Sequence, residues 1–336
     1  MFYETCFIKL FLCHKNGKKK RCWSCKSLDV ILWGKQQGKQ RFKCKNCGIL
    51  FSNNKPEQKI KNRFIWFKKW VLERQTYKTL CRDSGYSKDT LQRTFYKILE
   101  TSPVLKIIKR ERVNLRMDTT YFTQFCLVAY QDDCDGYTQL IRFIDGEHYE
   151  EIKEDLANLL LLGVKLESIT SDGDKSILKA IKKTDKNIIV QRCLVHIQRM
   201  CLIWLTKFPK HQSGQELRKH VLLLLKIKTD NDKIWWIHEL NLWYEKHKEY
   251  LNEKMINPET ERYWYTHKLL RRSYFTIKHA LPNMFHYLEN PKIPQTTNGI
   301  EGYFSHLKNH LDLHRGLTMK NRINFIKWYI YFSNEK

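Results

Sequence analysis

Three acids stand where regular elements would deliver them to one place: Asp118 in VNLRMD, Asp172 in LESITSDGD and Glu301 in TTNGIEGYFSHLKNHL. Carboxylates are hard oxygen donors that hold Mg²⁺ or Mn²⁺ through few contacts and leave coordination positions for substrate. Two such ions roughly 4 Å apart activate an attacking oxygen and stabilise a leaving one, which is the chemistry of phosphoryl transfer. Each acid also has a plain structural role open to it. Asp118 can close a strand, Asp172 or Asp174 can cap the next helix, and Asn298-x-x-Glu301 has the shape of a capping box.

Thiols form a second set. Cys22 and Cys25 in CWSCKS, with Cys44 and Cys47 in FKCKNCG, make two C-x2-C pairs separated by 18 residues. Four thiolates at that spacing suit one structural, tetrahedral Zn²⁺ and leave no open coordination position. A zinc ribbon is therefore expected over 22–52. The chain has 11 cysteines, an odd number set mostly in Lys-rich sequence, which argues against a disulfide scaffold. Cys193 and His196, in QRCLVHIQRM, are three residues apart at the start of a helical pattern and share a face. Joint core packing, a hydrogen bond to the active-site shell and half of a metal site are all open to this pair.

The elements that must position these residues read in three parts. A basic segment at 1–21 precedes the ribbon. Residues 57–102 have helical periodicity, with Ile65, Trp66, Trp70 and Leu72 marking a first helix. The stretch TYKTLCRDSGYSKDTLQRTFYKIL then reads as a helix–turn–helix, with Gly85 in the turn and Ser87 as N-cap of the second helix. Ser87, Lys88, Gln92 and Arg93 are the residues offered to a DNA major groove.

From 112 to 336 the pattern is mixed α/β. VNLRMD, FCLVAY and YTQLIRFID read as three strands in a meander. A helix, a strand, a helix and the short strand NIIVQ follow, the order of a ribonuclease H-like core. Residues 197–290, approximately, read as a helical insertion with Trp204, Trp235, Trp236, Trp243 and Trp264 available to pack it. Glu301, Ser305 and Lys308 fall on one side of the helix after it.

Charge separates the parts. The net charge is +26, and residues 1–117 carry 29 Lys+Arg against 8 Asp+Glu, while 118–336 carry 32 against 27. A polyanion is the natural partner of the first part, and nucleic acid fits because each neutralised phosphate releases counterions. No membrane association is expected: FIKLFLC is short and broken by Lys9, and no run reaches the ~18–20 apolar residues of a span.

The order MDTTY, TSDGDKSILKAI, QRCLVH and TTNGIEGYFSHLK resembles the Mutator-type (MULE-like) transposases of bacterial insertion sequences, and the ribbon resembles the subgroup that carries one at the N-terminus. The resemblance implies a ribonuclease H-like DDE domain with a large helical insertion. Asp118, Asp172 and Glu301 would be its metal-binding catalytic acids, using two Mg²⁺ or Mn²⁺ ions. Cys193 and His196 would be the family's signature pair, and Asn298 and Lys308 polar positions flanking the Glu. It further implies double-stranded DNA as partner, both terminal inverted repeats and target, with a homodimer or larger assembly on DNA. The expected location is the cytoplasm, in association with the nucleoid. A non-catalytic, domesticated transposase acting as a sequence-specific DNA-binding regulator is the alternative.

Overall fold

The computed structural model describes residues 20–36, 38–52, 56–146 and 148–335, with the side chains of 56–61 left out. All of the basic segment 1–21 except its last two residues thus lies outside the described residues. The chain divides into two units, residues 1–70 with 77–95 and residues 71–76 with 96–336.

In the first unit β1 (Val30–Gln36), β2 (Lys39–Cys44) and β3 (Leu50–Ser52) form an antiparallel sheet in that order. It buries little apolar surface, chiefly Phe42 against Phe51. Helices α1 (Pro56–Leu72), α2 (Tyr77–Ser84) and α3 (Lys88–Leu99) follow. Their aromatic core brings Phe67, Trp70 and Tyr77 around Phe95, with ring centroids 5.2–5.8 Å from it. Ile65, expected on the buried stripe, is 56% exposed, because the inward face of α1 runs through Phe67 and Trp70 instead. Ser87 precedes α3, and its Oγ accepts the Thr90 N–H at 3.3 Å. Lys88 and Arg93 are exposed and Gln92 half-buried.

The second unit is built on a five-stranded mixed sheet. Its strands are β4 (Val113–Tyr121), β5 (Cys126–Asp132), β6 (Thr138–Ile144), β7 (Leu166–Ser171) and β8 (Ile189–Arg192), in spatial order β6-β5-β4-β7-β8. The β4–β5 and β5–β6 pairs are antiparallel; β4–β7 and β7–β8 are parallel. Parallel neighbours need crossovers. Helix α4 (Tyr149–Leu161) connects β6 to β7, and α5 (Lys175–Thr184) connects β7 to β8. Val113, Leu115 and Met117 alternate along β4 and pack with Ile152, Leu156 and Leu159 of α4 and with Ile177 and Ile181 of α5. That alternation turns Arg116 and Asp118 to the opposite face of the sheet.

After β8 come α6 (Leu194–Leu205), α7 (Gln212–Leu222) and α8 (Asp230–Asn252). A two-stranded ribbon, β9 (Lys254–Ile256) with β10 (Tyr263–Tyr265), interrupts the helices before α9 (Lys268–Ala280) and the short α10 (His286–Glu289). These helices share a core around Leu217, Trp236, Leu240, Trp243 and Ile277. Trp236 and Trp243 pack as expected, but Trp235 and Trp264 are 51% and 49% exposed. The ribbon was not anticipated, since three-residue strands are too short to show alternation. Helix α11 (Asn298–Asp312) then packs on β4, and α12 (Met319–Ser333) packs on α11. Just past α12, Asn334 pairs with both the N–H and the C=O of Thr138 at 2.9 Å, satisfying part of the β6 edge.

One buried ion pair ties α4 to the sheet. Asp155, 3% exposed, accepts Arg142 Nε at 2.7 Å and the Tyr130 hydroxyl at 3.0 Å. Removing Asp155 leaves Arg142 with only its exposed partner Glu154 and the buried Tyr130 hydroxyl without its acceptor. Asp155→Ala is expected to cost about 1–3 kcal/mol in urea unfolding, while an exposed-pair control, Lys248→Ala, shifts the midpoint little.

Candidate active site and metal centre

Register places two of the acids. Arg116 pairs with Thr170 across the parallel β4–β7 ladder. Two residues further along each chain stand Asp118 and Asp172, so they emerge at the same level from neighbouring strands about 4.8 Å apart. Asp118 lies within β4, and Asp172 is the first residue past the end of β7. Asp174, not Asp172, caps α5, with its Oδ1 accepting the Ser176 N–H at 2.7 Å. Asp172 Oδ1 accepts the Asp174 N–H at 3.0 Å in the turn between them.

Glu301 comes from the other direction. The N-cap of α11 is Thr297, and it makes no side-chain capping bond, so the capping-box geometry is not formed. The Glu301 carboxylate faces α6, with Arg199 Nη2 at 3.1 Å from Oε2 and His196 Nε2 at 3.4 Å from Oε1. Asp118, His196, Arg199, Glu301, Ser305 and Lys308 line one cleft of about 520 Å³. Asp172 and Asn298 do not line it. The Lys308 ammonium lies 5.4 Å from the Phe122 ring on the cleft wall.

The electrostatics of the cleft are coupled. Burial pushes Asp118 up to about 6; the neighbouring charges of Asp172 and Glu301 push the same way, while His196 and the Thr119 N–H oppose them. His196 is pushed up to about 9, first by its hydrogen bond to Cys193, then by Cys193, Asp118 and Glu301 as nearby anions, with burial opposing. Burial resists ionisation of Cys193, but hydrogen bonds from His196 and Thr297 prevail and lower its pKa. An imidazolium and a guanidinium therefore stand against Glu301 at neutral pH.

The pair at 193 and 196 occupies the join between the sheet and the Glu301 helix. Cys193 is fully buried, and its sulfur accepts both the Thr297 N–H and the Thr297 hydroxyl at 3.3 Å. The Thr297 hydroxyl also lies 3.4 Å from His196 Nδ1. Beside them the Leu194 N–H donates to Gln295 O at 3.2 Å, and the Thr170 hydroxyl to Pro294 O at 2.8 Å. The strand ends thus hold the segment that leads into α11.

At two glycines near the acids the end of an arginine side chain lies where a Cβ would be. A Cβ at Gly173, where φ is +83°, would meet Arg192 Nε at 1.7 Å, and one at Gly299 would meet Arg116 Nη1 at 1.5 Å. Arg192 Nη2 donates to the Asp172 carbonyl at 3.0 Å, and Arg116 Nε lies 2.8 Å from Asp133 Oδ1. Arg199, Arg116, Arg192 and Thr297 were not singled out from sequence. For Arg199 a signal existed, since it lies three residues after His196 on the same helical face.

The thiols form the other centre. Cys22, Cys25, Cys44 and Cys47 bring all four sulfurs within 4.8 Å of one another, the one such group of three or more potential ligands among the described residues. The three acids are not drawn that close. Cys22–Cys47 and Cys25–Cys44 sulfurs are 3.6 and 3.5 Å apart, near the edge of roughly 3.8 Å that a tetrahedron of 2.3 Å Zn–S bonds requires. The two knuckles repeat one backbone pattern. Lys26 N–H bonds to Cys22 O and Gly48 N–H to Cys44 O, both at 3.0 Å. This cluster could hold a zinc ion.

Residues 92–230 match the family model described as Transposase, Mutator family. That stretch runs from α3 through β8 and α6 into the first residue of α8, and includes Asp118, Asp172, Cys193 and His196 but not Glu301. The match supports a Mutator-type transposase, and the resemblance read from the motif order is borne out over this segment. No curated protein matches the chain. Among the described residues no helix is long and apolar enough to cross a membrane.

Freshly purified, reduced protein is expected to contain about one zinc per chain, measured by elemental analysis, and to lose first-unit structure on chelation. Asp118 gives a pH signature. Its folded pKa of about 6 lies above the ordinary 3.8, so the folded chain keeps a proton that the unfolded chain releases. Stability from this group is therefore highest at low pH and is lost as pH rises from 3.8 to about 6. Asp118→Asn should flatten that part of the stability-versus-pH curve, as read by thermal unfolding.

Proposed function

We propose that the chain is a DNA transposase whose second unit cleaves and joins DNA strands by a DDE mechanism, on a sheet and helix arrangement of the ribonuclease H-like type. The observation that carries this reading is the convergence of Asp118 and Asp172, level on adjacent parallel strands, with Glu301 beside Asp118 on the same cleft. Carboxyl ends of parallel strands are where open α/β sheets gather their ligands. Asp118, Asp172 and Glu301 offer only hard oxygen donors, the donor set that suits Mg²⁺ or Mn²⁺. Two bound ions would supply Lewis-acid activation of the attacking oxygen, first of water and then of a DNA 3′-hydroxyl, and stabilisation of the leaving oxygen.

The remaining groups bind and position. Lys308 projects from α11 along the cleft wall, where an ammonium can take a backbone phosphate of the reacting strand. Arg199 and His196 carry the counter-charge to Glu301, so the carboxylate is held oriented rather than extended into solvent. The Cys193–Thr297–His196 contacts position the loop bearing Glu301, and Arg192 positions that bearing Asp172. Asn298 is exposed and serves the start of α11.

The first unit recognises the element's terminal inverted repeats. Lys88 and Arg93, with Gln92 beside them, face outward from α3 to read the major groove, and Ser87 caps that helix. The basic excess before residue 118 supplies phosphate affinity, so end-binding weakens steeply with salt. Joining two ends calls for a homodimer or larger assembly on double-stranded DNA, acting at the nucleoid.

Asp118→Asn, Asp172→Asn and Glu301→Gln are each expected to abolish cleavage and strand transfer of a pre-cleaved end while end-binding stays within about twofold. Retained joining in any one removes that residue from the site. Wild-type binding with no metal-dependent nicking would leave the regulator reading, and hydrolysis without joining would leave a nuclease.

A further inference from the structure

The β9–β10 ribbon has an exposed apolar surface that neither the sheet nor the cleft explains. Tyr263 pairs with Ile256, Trp264 with Met255, and Tyr265 with Lys254. Tyr263, Ile256, Trp264 and Met255 are 55%, 66%, 49% and 52% exposed, so both faces of the ribbon carry open apolar side chains. A two-stranded ribbon alone is marginal in water. This one is braced at both ends. Asn257 closes the turn, its Oδ1 accepting the N–H groups of Glu259 and Thr260 at 2.8 and 3.1 Å. At the foot, Arg271 lies 3.8 Å from the Tyr265 ring centre, and His267 stacks on Tyr250 at 3.5 Å. Tyr263 and Trp264 are thus held in place while about half of each stays open to solvent.

Cations interleave with those rings. Lys254 Nζ sits 4.0 Å from the Tyr263 ring centre, Arg262 precedes Tyr263, and Lys268 follows the ribbon beside a cleft of about 300 Å³ that His267 and Tyr250 also line. Of the nearby acids, Glu253 is engaged by His267 at 2.8 Å, and Glu259 and Glu261 are confined to the turn at the tip, away from the foot that carries Lys254 and Lys268. A purely apolar protein partner would have to desolvate these cations without pairing them. A nucleic-acid strand uses both kinds of group, bases stacking on rings and phosphates meeting lysine and arginine. Stacking needs a free base face, which a strand offers where it is unpaired or splayed.

We propose that the β9–β10 ribbon is a stacking platform for unpaired nucleotides of a DNA strand, with Trp264 and Tyr263 taking base faces and Lys254, Arg262 and Lys268 the flanking phosphates. The platform lies on the insertion and needs neither the three acids nor a divalent ion.

The test uses the full chain and two labelled probes at fixed salt: a blunt duplex, and the same duplex with a single-stranded overhang of about ten nucleotides. Wild type is expected to prefer the overhang. Trp264→Ala with Tyr263→Ala should weaken overhang binding about tenfold and leave blunt-duplex binding within about twofold. Trp264→Phe should keep most of the preference and Trp264→Leu should lose it, since leucine preserves apolarity but not a stacking face. Four results would overturn the proposal: unchanged overhang affinity in the double variant, an equal fall for both probes, leucine as good as phenylalanine, or loss of self-association in sedimentation with overhang binding intact. Binding of neither probe by wild type would overturn it together with the DNA-handling reading, whereas blunt binding without overhang preference would overturn the platform alone.

Discussion

A carboxyl group half-buried at the end of a sheet resists ionisation, and the contacts around Asp118 and Glu301 answer that desolvation. Desolvation holds the half-buried Asp118 near 6, with the charges of Asp172 and Glu301 adding smaller pushes in the same direction. Such an arrangement persists only with counter-charge close by. Arg199 and His196 supply it to Glu301 from one helix, three residues apart. The imidazolium in turn is secured by Cys193, whose sulfur also takes both hydrogen-bond donors of Thr297. One run of contacts thus links the last strand, the first helix of the insertion and the start of the Glu301 helix.

The same economy of approach governs the loops. Gly173 follows Asp172, and Gly299 precedes Glu301 by two residues. At each an arginine side chain from a strand lies where a Cβ would be. Arg192 reaches from the end of β8 to the Asp172 carbonyl, and Arg116 leaves β4 two residues before Asp118. Both arginines are drawn from the strands that carry or flank the site. The Arg192 guanidinium braces the backbone of Asp172, while that of Arg116 is held by Asp133.

Between the strands and the Glu301 helix the chain spends roughly a hundred residues on a separate helical core around Trp236 and Trp243. That core is anchored to the sheet by hydrogen bonds such as Gln191 Nε2 to the Met284 carbonyl at 2.7 Å. The result is that Glu301, far along the chain, returns to within ion-pair distance of residues on α6. The insertion also carries outward the ribbon with its open rings, a surface the sheet could not provide.

Much was legible in the sequence because it is local. The C-x2-C pairs announced a four-thiolate cluster, since ligand spacing is written in the chain. The alternation of Val113, Leu115 and Met117 against Asn114, Arg116 and Asp118 announced β4, and Ser87 and Gly85 marked the turn and cap before α3. Periodicity also named the helices on either side of β7. What sequence left open was every choice that depends on a partner distant along the chain. Whether Glu301 caps its own helix or faces Arg199, whether Asp172 or Asp174 caps α5, and what Cys193 touches were decided only when the sheet register and the helical insertion brought those segments together. Local composition allowed either outcome, and packing between remote segments selected one, because the alternatives differ in contacts that no short stretch contains.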